Sequence, residues 1–371
     1  MKINKLVTII GAGPAGIGTA TALLRLGIED IQVIDKGEIG QSFLDWNTKT
    51  RFISPSFNTN GFGFPDMNAI TPDTSPGYYA DSEHLSGESY AEYLTEVAQY
   101  FNVPVSTNEM IEKIEKQENG YIVYGEFNTY HSTYLITALG DVSYPDQKNI
   151  SGYEYGLRYT ELGDYTRFAD QEEVAIIGGN ESGFDAAIQL AKMNIKSTIY
   201  TSNAGIDSES SDPSQSLSLY TRERYREVAD FITIYTDIRI KEITTVKNQY
   251  ILISEEDETF SIPSKPIIAT GFSNVQSPLI ENLFDIDEDR AVLNLYDEST
   301  ISKNLFMVGS QVEHDGVILC FIYKYRQRFA YIANEIARRA SLPVNPLALQ
   351  LYKDYQMFLE DLSCCDTDCA C

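Results

Sequence analysis

The chain has 371 residues, of which 43% are hydrophobic and 12% aromatic, enough for two domains with apolar cores and too apolar for a disordered protein. It contains 28 Lys and Arg residues and 54 Asp and Glu residues, and the resulting charge of −26 disfavours nucleic acid or an anionic membrane as a partner. The apolar run before Gly11 is too short for a signal peptide or a membrane span, so we expect a cytoplasmic protein.

The first predicted unit consists of a strand, a glycine-rich turn, a helix and a second strand. The strand covers residues 6–10, the turn 11–16, the helix 17–26 and the second strand 31–35. After it we predict a helix at 90–101 and strands at 103–105, 121–127 and 133–138.

The same order of elements recurs in a second unit. A strand at 174–177, a glycine turn at 178–183, a helix to 193 and a strand at 196–200 repeat the first pattern. A loop at 202–218, a helix at 219–229 and strands at 232–235, 250–254, 267–269 and 305–308 follow, and a long helix is predicted at 317–339. Two such units predict an α/β fold with two Rossmann-like dinucleotide-binding domains.

The first glycine turn has the spacing of a pyrophosphate-binding loop. Gly11, Gly13 and Gly16, with Pro14 and Ala15 between them, allow a tight turn and close approach of the backbone to a diphosphate at a helix N-terminus. Asp35 ends the next strand, where a carboxylate can accept ribose hydroxyls. We therefore predict a nucleotide site here.

The second turn reads Gly178-Gly-Asn180-Glu181-Ser182-Gly183 and departs from the pattern at Asn180. Asn tolerates the left-handed backbone, so the turn can survive, although a degenerate domain without nucleotide is the alternative. No acid ends the strand at Tyr200, and Arg222, Arg224 and Arg226 follow in the next helix, either to reach a 2′-phosphate or as a solvated face. We expect a modest preference for NADPH.

The whole set of motifs resembles that of the flavin-containing monooxygenase-like flavoproteins, especially small bacterial members associated with cation efflux. The shared stretches include Gly40-Gln-Ser-Phe with Trp46, Phe52-Ile-Ser-Pro-Ser56, Ala138-Leu-Gly140, Ala269-Thr-Gly271 and Val308-Gly309. The resemblance extends to about Leu362 and implies FAD at the first turn and NADPH or NADH at the second. It implies further cofactor contacts from Lys36, Gln41, Ser42, Trp46, Ala138, Gly140, Gly271 and Gly309.

This resemblance implies four segments. A first part of the FAD-binding domain covers 1–150, an inserted NAD(P)-binding domain 151–272, the second part of the FAD domain 273–362, and a cysteine-rich tail 363–371. The histidine that eukaryotic-type monooxygenases carry before the second turn is missing from 150–159. The chain is also similar to bacillithiol-type disulfide reductases, but these have a cysteine where Ala15 stands, and the sequence contains no Cys-x-x-Cys pair.

Two further sets of residues are candidates for chemistry. His314 precedes the last long helix, whose start the family brings under the flavin, so it is a candidate catalytic residue. Cys364, Cys365, Cys369 and Cys371 can bind Zn(II) or another soft metal, relay electrons, or form an idle oxidisable tail.

The sequence thus predicts an FAD-dependent NAD(P)H oxidoreductase with a small-molecule substrate. The favoured reaction is the oxygenation of a small soft nucleophile, as in flavin monooxygenases. One alternative is reduction of a disulfide or metal through the tail cysteines, with a thiol or soft metal ion as partner. Another is an FAD-binding accessory protein that senses redox state or handles metal. The oligomeric state is left open.

Overall fold

A computed structural model describes most of the chain. The described ranges are 1–58, 63–79, 82–146, 150–208, 216–247, 249–273, 275, 277–287, 289–314 and 316–362. The cysteine-rich tail at 363–371 lies outside them.

The helices and strands follow in chain order. The first group is β1 (Lys2–Ile10), α1 (Pro14–Leu26), β2 (Ile31–Ile34), α2 (Gln41–Leu44), α3 (Gly87–Tyr100), β3 (Val105–Ser106), β4 (Ile111–Gln117), β5 (Gly120–Gly125) and β6 (Thr129–Thr137). The second group is β7 (Leu157–Arg158), β8 (Glu173–Ile177), α4 (Glu181–Lys192), β9 (Lys196–Tyr200), α5 (Leu219–Val228), β10 (Ile232–Tyr235), β11 (Ile240–Val246), β12 (Gln249–Ser254), β13 (Thr259–Ile262) and β14 (Ile267–Ile268). The third group is β15 (Asp285–Asp287), β16 (Arg290–Val292), β17 (Leu305–Met307), β18 (Glu313–His314), β19 (Val317–Ile318), α6 (Ile322–Tyr325), α7 (Phe329–Arg339) and α8 (Pro346–Asp354).

The chain divides into two compact units. The first unit comprises residues 1–44, 55–144 and 273–362, and the second comprises 45–54 and 145–272. The second unit is therefore inserted within the sequence of the first. The segment Asp45–Ser54, which the sequence analysis placed in the first domain, groups with the second unit.

The first unit is built on a seven-stranded sheet. Its strand order is β3-β2-β1-β6-β5-β4, and β17 pairs with the end of β6. The strands β3, β2, β1, β6 and β17 are parallel, so their carboxyl ends share one edge. Gly18 on α1 lets that helix pack closely against α7, because a β-carbon there would lie 2.2 Å from the Phe329 ring.

The second unit contains a smaller parallel sheet. Its order is β10-β9-β8-β14-β7, and a three-stranded antiparallel sheet, β11-β12-β13, accompanies it. The strand residues Ile176 and Ile199 are fully buried and share one core with Phe184 and Leu190 of α4. The predicted α/β class with two Rossmann-like sheets is confirmed. Within the described ranges, no helix has the length and apolar character needed to cross a membrane.

The long helix predicted at 317–339 is wrong in its first part. Residues 313–314 pair with 317–318 as the antiparallel strands β18 and β19, and Gly316 between them has a φ of 83°. Phe321 remains extended, and α6 begins only at Ile322. A 3-10 turn at Arg326–Arg328 then separates α6 from α7. The apolar spacing was similar on both sides of these breaks, which is why periodicity did not reveal them.

Candidate dinucleotide-binding sites

The first glycine turn requires glycine at two positions for geometric reasons. Gly11 has a φ of 111°, and a β-carbon on it would lie 2.1 Å from the Ala138 carbonyl oxygen. A β-carbon on Gly16 would lie 1.8 Å from the Gly11 carbonyl oxygen. Both contacts are far inside van der Waals distance. The turn therefore holds the start of α1 directly against the ends of β1 and β6.

Gly13 differs from these two glycines because it faces open space. Its φ of −80° suits any residue, and a β-carbon would meet no atom within 4 Å. It caps α1, with Pro14 and Ala15 following at the first helical positions and no acidic residue in the first turn. The first amides of a helix lack partners within it and carry a positive partial charge, so this space fits a diphosphate.

The Asp35 carboxylate is fixed by the backbone around it. Its Oδ2 accepts a hydrogen bond from the Ala12 amide at 2.6 Å, and its Oδ1 accepts one from the Gly37 amide at 2.8 Å. Each carboxylate oxygen has further lone pairs with which it can accept a hydrogen bond from a ribose hydroxyl. The acid thus lies beyond β2, beside the glycine turn, as its position in the sequence predicted.

The other predicted residues of the first unit follow either the strands β6 and β17 or the strand β2. Ala138, Gly140 and Gly309 follow β6 and β17 at the same edge, and a β-carbon on Gly309 would be 3.4 Å from the Ala15 side chain. Lys36 donates to Ser143 Oγ at 2.9 Å, and Gln41 of α2 accepts from the Glu38 amide at 3.0 Å.

Ser42 and Trp46 complete the predicted set. Ser42 lies in α2, next to Gln41. Trp46 belongs to the second unit, where its ring lies 5.1 Å from that of Phe52. Its predicted contact with the cofactor stays a prediction.

Four residues at or near this edge were missed by the sequence analysis. Asp141 follows Gly140, and its Oδ2 accepts hydrogen bonds from Ser310 Oγ at 2.8 Å and Gln311 Nε2 at 3.4 Å. This contact joins the ends of β6 and β17. Burial, together with the nearby Asp141 charge, raises the pKa of Tyr325 well above its usual value, so the phenol stays neutral. The available signal was that Asp141 and Ser310 each directly follow a strand-end glycine.

The second glycine turn repeats the geometry of the first. Gly178 has a φ of 113°, and its β-carbon would lie 2.2 Å from the Ala269 carbonyl oxygen, while one on Gly183 would lie 2.0 Å from the Gly178 oxygen. Asn180 has an extended φ of −110° and caps α4. The turn therefore survives at Asn180 without using the left-handed backbone that asparagine tolerates.

The start of α4 carries a carboxylate, unlike the start of α1. Glu181 stands in the first turn, where its oxygens accept hydrogen bonds from the Ser218 amide and, at 2.6 Å, from the Thr221 hydroxyl. Ser182 lines a small cavity with Arg158 and Gly271. The second turn therefore combines a helix N-terminus, a cation and a fixed carboxylate.

His314 lies in a buried ionic cluster. Its Nε2 lies 2.5 Å from Asp297 Oδ1, and Arg328 donates to both oxygens of the same carboxylate at 2.8 and 3.1 Å. Asp297 is fully buried and His314 is 8% exposed. These contacts give the imidazole a structural role, and its catalytic role stays a prediction.

The predicted metal ligands Cys364, Cys365, Cys369 and Cys371 lie outside the described residues. Within the described ranges, no group of three or more His, Cys, Asp or Glu residues is arranged to hold a metal ion.

Comparison with known proteins assigns the chain to a family. The profile of the pyridine nucleotide-disulphide oxidoreductases matches residues 8–309. The chain is 26% identical over 343 residues to bacilliredoxin reductase Bdr of Bacillus subtilis strain 168, a match that covers 91% of this chain and 99% of that protein.

Two solved structures show the same fold. Bacillithiol disulfide reductase Bdr from Staphylococcus aureus superimposes with a TM-score of 0.74 at 20% identity, covering 91% of this chain and 99% of that one. A flavin-containing monooxygenase from Stenotrophomonas maltophilia gives a TM-score of 0.70 at 12% identity with the same coverage. The chain belongs to the pyridine nucleotide-disulphide oxidoreductases, a family of FAD- and NAD(P)H-dependent oxidoreductases.

Proposed function

We propose that this protein is an NAD(P)H-dependent flavoprotein reductase whose electron acceptor is a disulfide. The observation that carries the proposal is the similarity to bacilliredoxin reductase, which extends over 91% of this chain and 99% of that protein. Similarity over the whole length favours a shared reaction type more than similarity of fold does. The resemblance to a flavin monooxygenase at 12% identity supports the fold alone.

The first unit is the proposed FAD site. The open space at Gly13, the uncharged first turn of α1 and the fixed Asp35 carboxylate fit a diphosphate and its ribose. When bound, FAD accepts a hydride from the nicotinamide and delivers two electrons to the acceptor. At the adjoining strand ends lie a neutral phenol, that of Tyr325, and a hydrogen-bonded carboxylate, that of Asp141.

The second unit is the proposed pyridine nucleotide site. Its turn keeps Gly178 and Gly183 where a side chain would clash, and Asn180 does not distort the backbone. The Arg158 guanidinium, in the same cavity as Ser182, supplies positive charge for a pyrophosphate. These features favour a working site over the degenerate domain.

The thiol that exchanges with the acceptor must come from outside the first turn, because Ala15 occupies that position. Cys320 precedes α6, and its neighbour Leu319 donates to the Val312 carbonyl at 2.8 Å. Val312 in turn donates to the Gly309 carbonyl at 3.2 Å. Cys320 therefore follows a segment that is hydrogen-bonded back to the strand-end edge of the first unit.

The four tail cysteines follow a segment that is also fixed in the first unit. The Leu359 amide donates to the Gln327 carbonyl at 3.0 Å, and its carbonyl accepts from Arg328 at 2.7 Å. A fully extended chain of nine residues spans up to about 30 Å. We propose that the tail cysteines accept the electron pair as a disulfide, which opens to two thiols, and then reduce an external disulfide by thiol exchange.

Anaerobic kinetics test this proposal. Purified protein is mixed with NADH or NADPH, flavin reduction is followed by absorbance, and a disulfide such as 5,5′-dithiobis(2-nitrobenzoic acid) is then added. We compare the full chain with a variant in which all four tail cysteines are serine and with C320S. The matched control for the tail replaces Asp366, Thr367 and Asp368 by alanine.

We expect flavin reduction to be unchanged in every variant and disulfide reduction to be lost only when the tail cysteines are replaced. Loss in C320S alone would assign the exchange to Cys320. Full disulfide reduction in both variants would contradict a role for these thiols. Oxygen uptake coupled to oxidation of an added sulfide or amine would establish the monooxygenase reaction instead. Loss of bound zinc without change in turnover would identify the tail as a metal site.

A further inference from the structure

We infer that the second unit selects NADH over NADPH because the residues after β9 are neutral and no arginine of α5 is available to a phosphate there. This inference rests on the proposed function and specifies the electron donor. NADPH differs from NADH only by a phosphate on the adenosine 2′-hydroxyl. In a dinucleotide fold, the residues that follow the second strand of the unit contact that position. Here the second strand is β9, which ends at Tyr200.

The residues that follow β9 are neutral. Thr201 is buried, and its hydroxyl donates to the Asn203 carbonyl. Its amide donates to the Tyr235 carbonyl at 3.0 Å. Ser202 and Asn203 are exposed. Hydroxyl and amide groups hydrogen-bond to a ribose hydroxyl, but they cannot neutralise a phosphate dianion.

Arg222 is the first arginine of α5, and its guanidinium donates hydrogen bonds to backbone carbonyls. It donates from Nε to the Leu217 carbonyl at 3.0 Å and from Nη1 to the Ile206 carbonyl at 2.6 Å. It also donates from Nη2 to Gly205 at 3.2 Å and Ser208 at 3.0 Å. A guanidinium has five N–H donors, so four carbonyl contacts leave little for a phosphate. Arg222 thus fixes the loop that follows β9.

That loop is in direct contact with the second glycine turn. The Gly205 amide donates to the Gly179 carbonyl at 2.9 Å, and a β-carbon on Gly205 would lie 2.7 Å from the Asn180 side-chain oxygen. A swing of Arg222 towards a bound phosphate would release the loop from this turn. Binding a 2′-phosphate through Arg222 would therefore cost loop structure that NADH leaves intact.

The other two arginines of α5 are also unsuited to this task. Arg224 forms a largely buried ion pair with Asp185 at 2.6 Å and lies over the Tyr220 ring at 4.8 Å. Arg226 is one turn, about 6 Å, further along α5 than Arg222. Because α5 starts beside the first turn of α4 through the contacts of Glu181, this displacement takes Arg226 away from the strand ends.

Charge along the loop sequence points the same way. Residues 201–218 contain no Lys or Arg, whereas Asp207, Glu209 and Asp212 are acidic. Glu181 adds a carboxylate at the start of α4. A phosphate at the 2′ position carries a charge of about −1.5 to −2 at pH 7 and would be disfavoured by the carboxylates of Glu181 and Asp207. The inference reverses the expectation of a modest NADPH preference, which considered only the missing acid after Tyr200.

Direct binding of two unreactive probes tests the inference. ADP-ribose and 2′-phospho-ADP-ribose differ only in the phosphate, and isothermal titration of the FAD-loaded protein measures each dissociation constant without turnover. We expect ADP-ribose to bind at least about tenfold more tightly, with a gap that narrows as salt screens the acids. Equal binding, or tighter binding of 2′-phospho-ADP-ribose, would overturn the inference and leave the proposed function standing. If neither probe binds, both the inference and the proposed function are overturned.

Three variants sharpen the test. S202R should strengthen binding of 2′-phospho-ADP-ribose about tenfold and leave ADP-ribose unchanged, whereas the neutral control S202Q should change neither. R222Q should weaken both probes alike, because it loosens the loop. Selective loss of 2′-phospho-ADP-ribose binding in R222Q would show that Arg222 contacts the phosphate and would overturn the inference.

Discussion

Gly13 offers the sharpest test of the FAD site, because its side-chain position is open in the structure. We expect G13A to weaken FAD binding and G13V to weaken it further, while the apoprotein remains folded. A β-carbon at Gly13 meets no protein atom within 4 Å, and its φ of −80° is allowed for both residues. The added carbons would occupy the space that we assign to the diphosphate.

The magnitude follows from the contacts that would be lost. A diphosphate held at the start of α1 accepts charge-assisted hydrogen bonds from backbone amides, each worth about 1.5–3 kcal/mol. If the Val side chain prevents two of them, FAD binding weakens by about 3–6 kcal/mol, or roughly 10²–10⁴-fold. Replacing the helix-capping glycine itself costs about 1 kcal/mol or less of folding stability.

The assay compares FAD affinity and apoprotein stability in the same samples. Fluorescence titration of apoprotein gives the dissociation constant, and urea unfolding without FAD removes the stabilisation that bound ligand would add. G16A serves as the contrasting control, because its β-carbon would lie 1.8 Å from the Gly11 oxygen and should destabilise the fold itself. An FAD affinity of G13V within threefold of that of the parent would refute our placement of the diphosphate.

Three other substitutions give distinct outcomes. G183A should abolish ADP-ribose binding but leave FAD bound, because its β-carbon would lie 2.0 Å from the Gly178 oxygen within the second unit, and calorimetry plus flavin absorbance would show it. H314Q should lower the unfolding free energy by about 2 kcal/mol with flavin reduction unchanged, whereas slower reduction at unchanged stability would reveal a catalytic imidazole. Burial would raise the pKa of the Glu298 carboxyl, but its hydrogen bonds, that from Arg339 foremost, outweigh burial and lower this pKa. The ionised carboxylate therefore stabilises the folded protein above about pH 4.5. This contribution to stability is lost as the pH falls through the pKa that Glu298 has in the folded protein. E298Q should remove about 2 kcal/mol at pH 7 and much less at pH 3, and an equal loss at both would contradict the ion pair.

Much of the fold could be predicted because both glycine turns stand between strong strand and helix patterns. The strands at 196–200 and 232–235 have the predicted limits. The edge strand β4 was missed because five of its seven residues are charged or polar, and β13 was missed because it has only four residues. Helix α8 was missed for a related reason, since only Tyr352 in it is buried. Elements with little buried surface leave a weak pattern in sequence.

The sites were predictable to the extent that backbone geometry dictates residue type. Gly11, Gly16, Gly178 and Gly183 each lie where a β-carbon would collide with a carbonyl, so their spacing carries the signal. Family membership bears out the predicted class and its cofactors, FAD and NAD(P)H. The partners of Arg222 could not be predicted, because they are backbone carbonyls whose positions depend on how the loop folds.

The two glycine turns share backbone geometry but differ in charge, and this difference suits them to different ligands. The first turn of α1 has no acidic residue, while α4 presents Glu181 in its first turn. Hydrogen bonds from Ser218 and Thr221 hold that carboxylate beside the helix N-terminus, where it opposes the attraction of the helix dipole for a diphosphate. A flavin must stay bound through many turnovers, whereas an oxidised pyridine nucleotide must leave after each one. Strong attraction at the first turn and weaker attraction at the second therefore match the proposed reductase, in which the first turn keeps a flavin and the second exchanges a nucleotide.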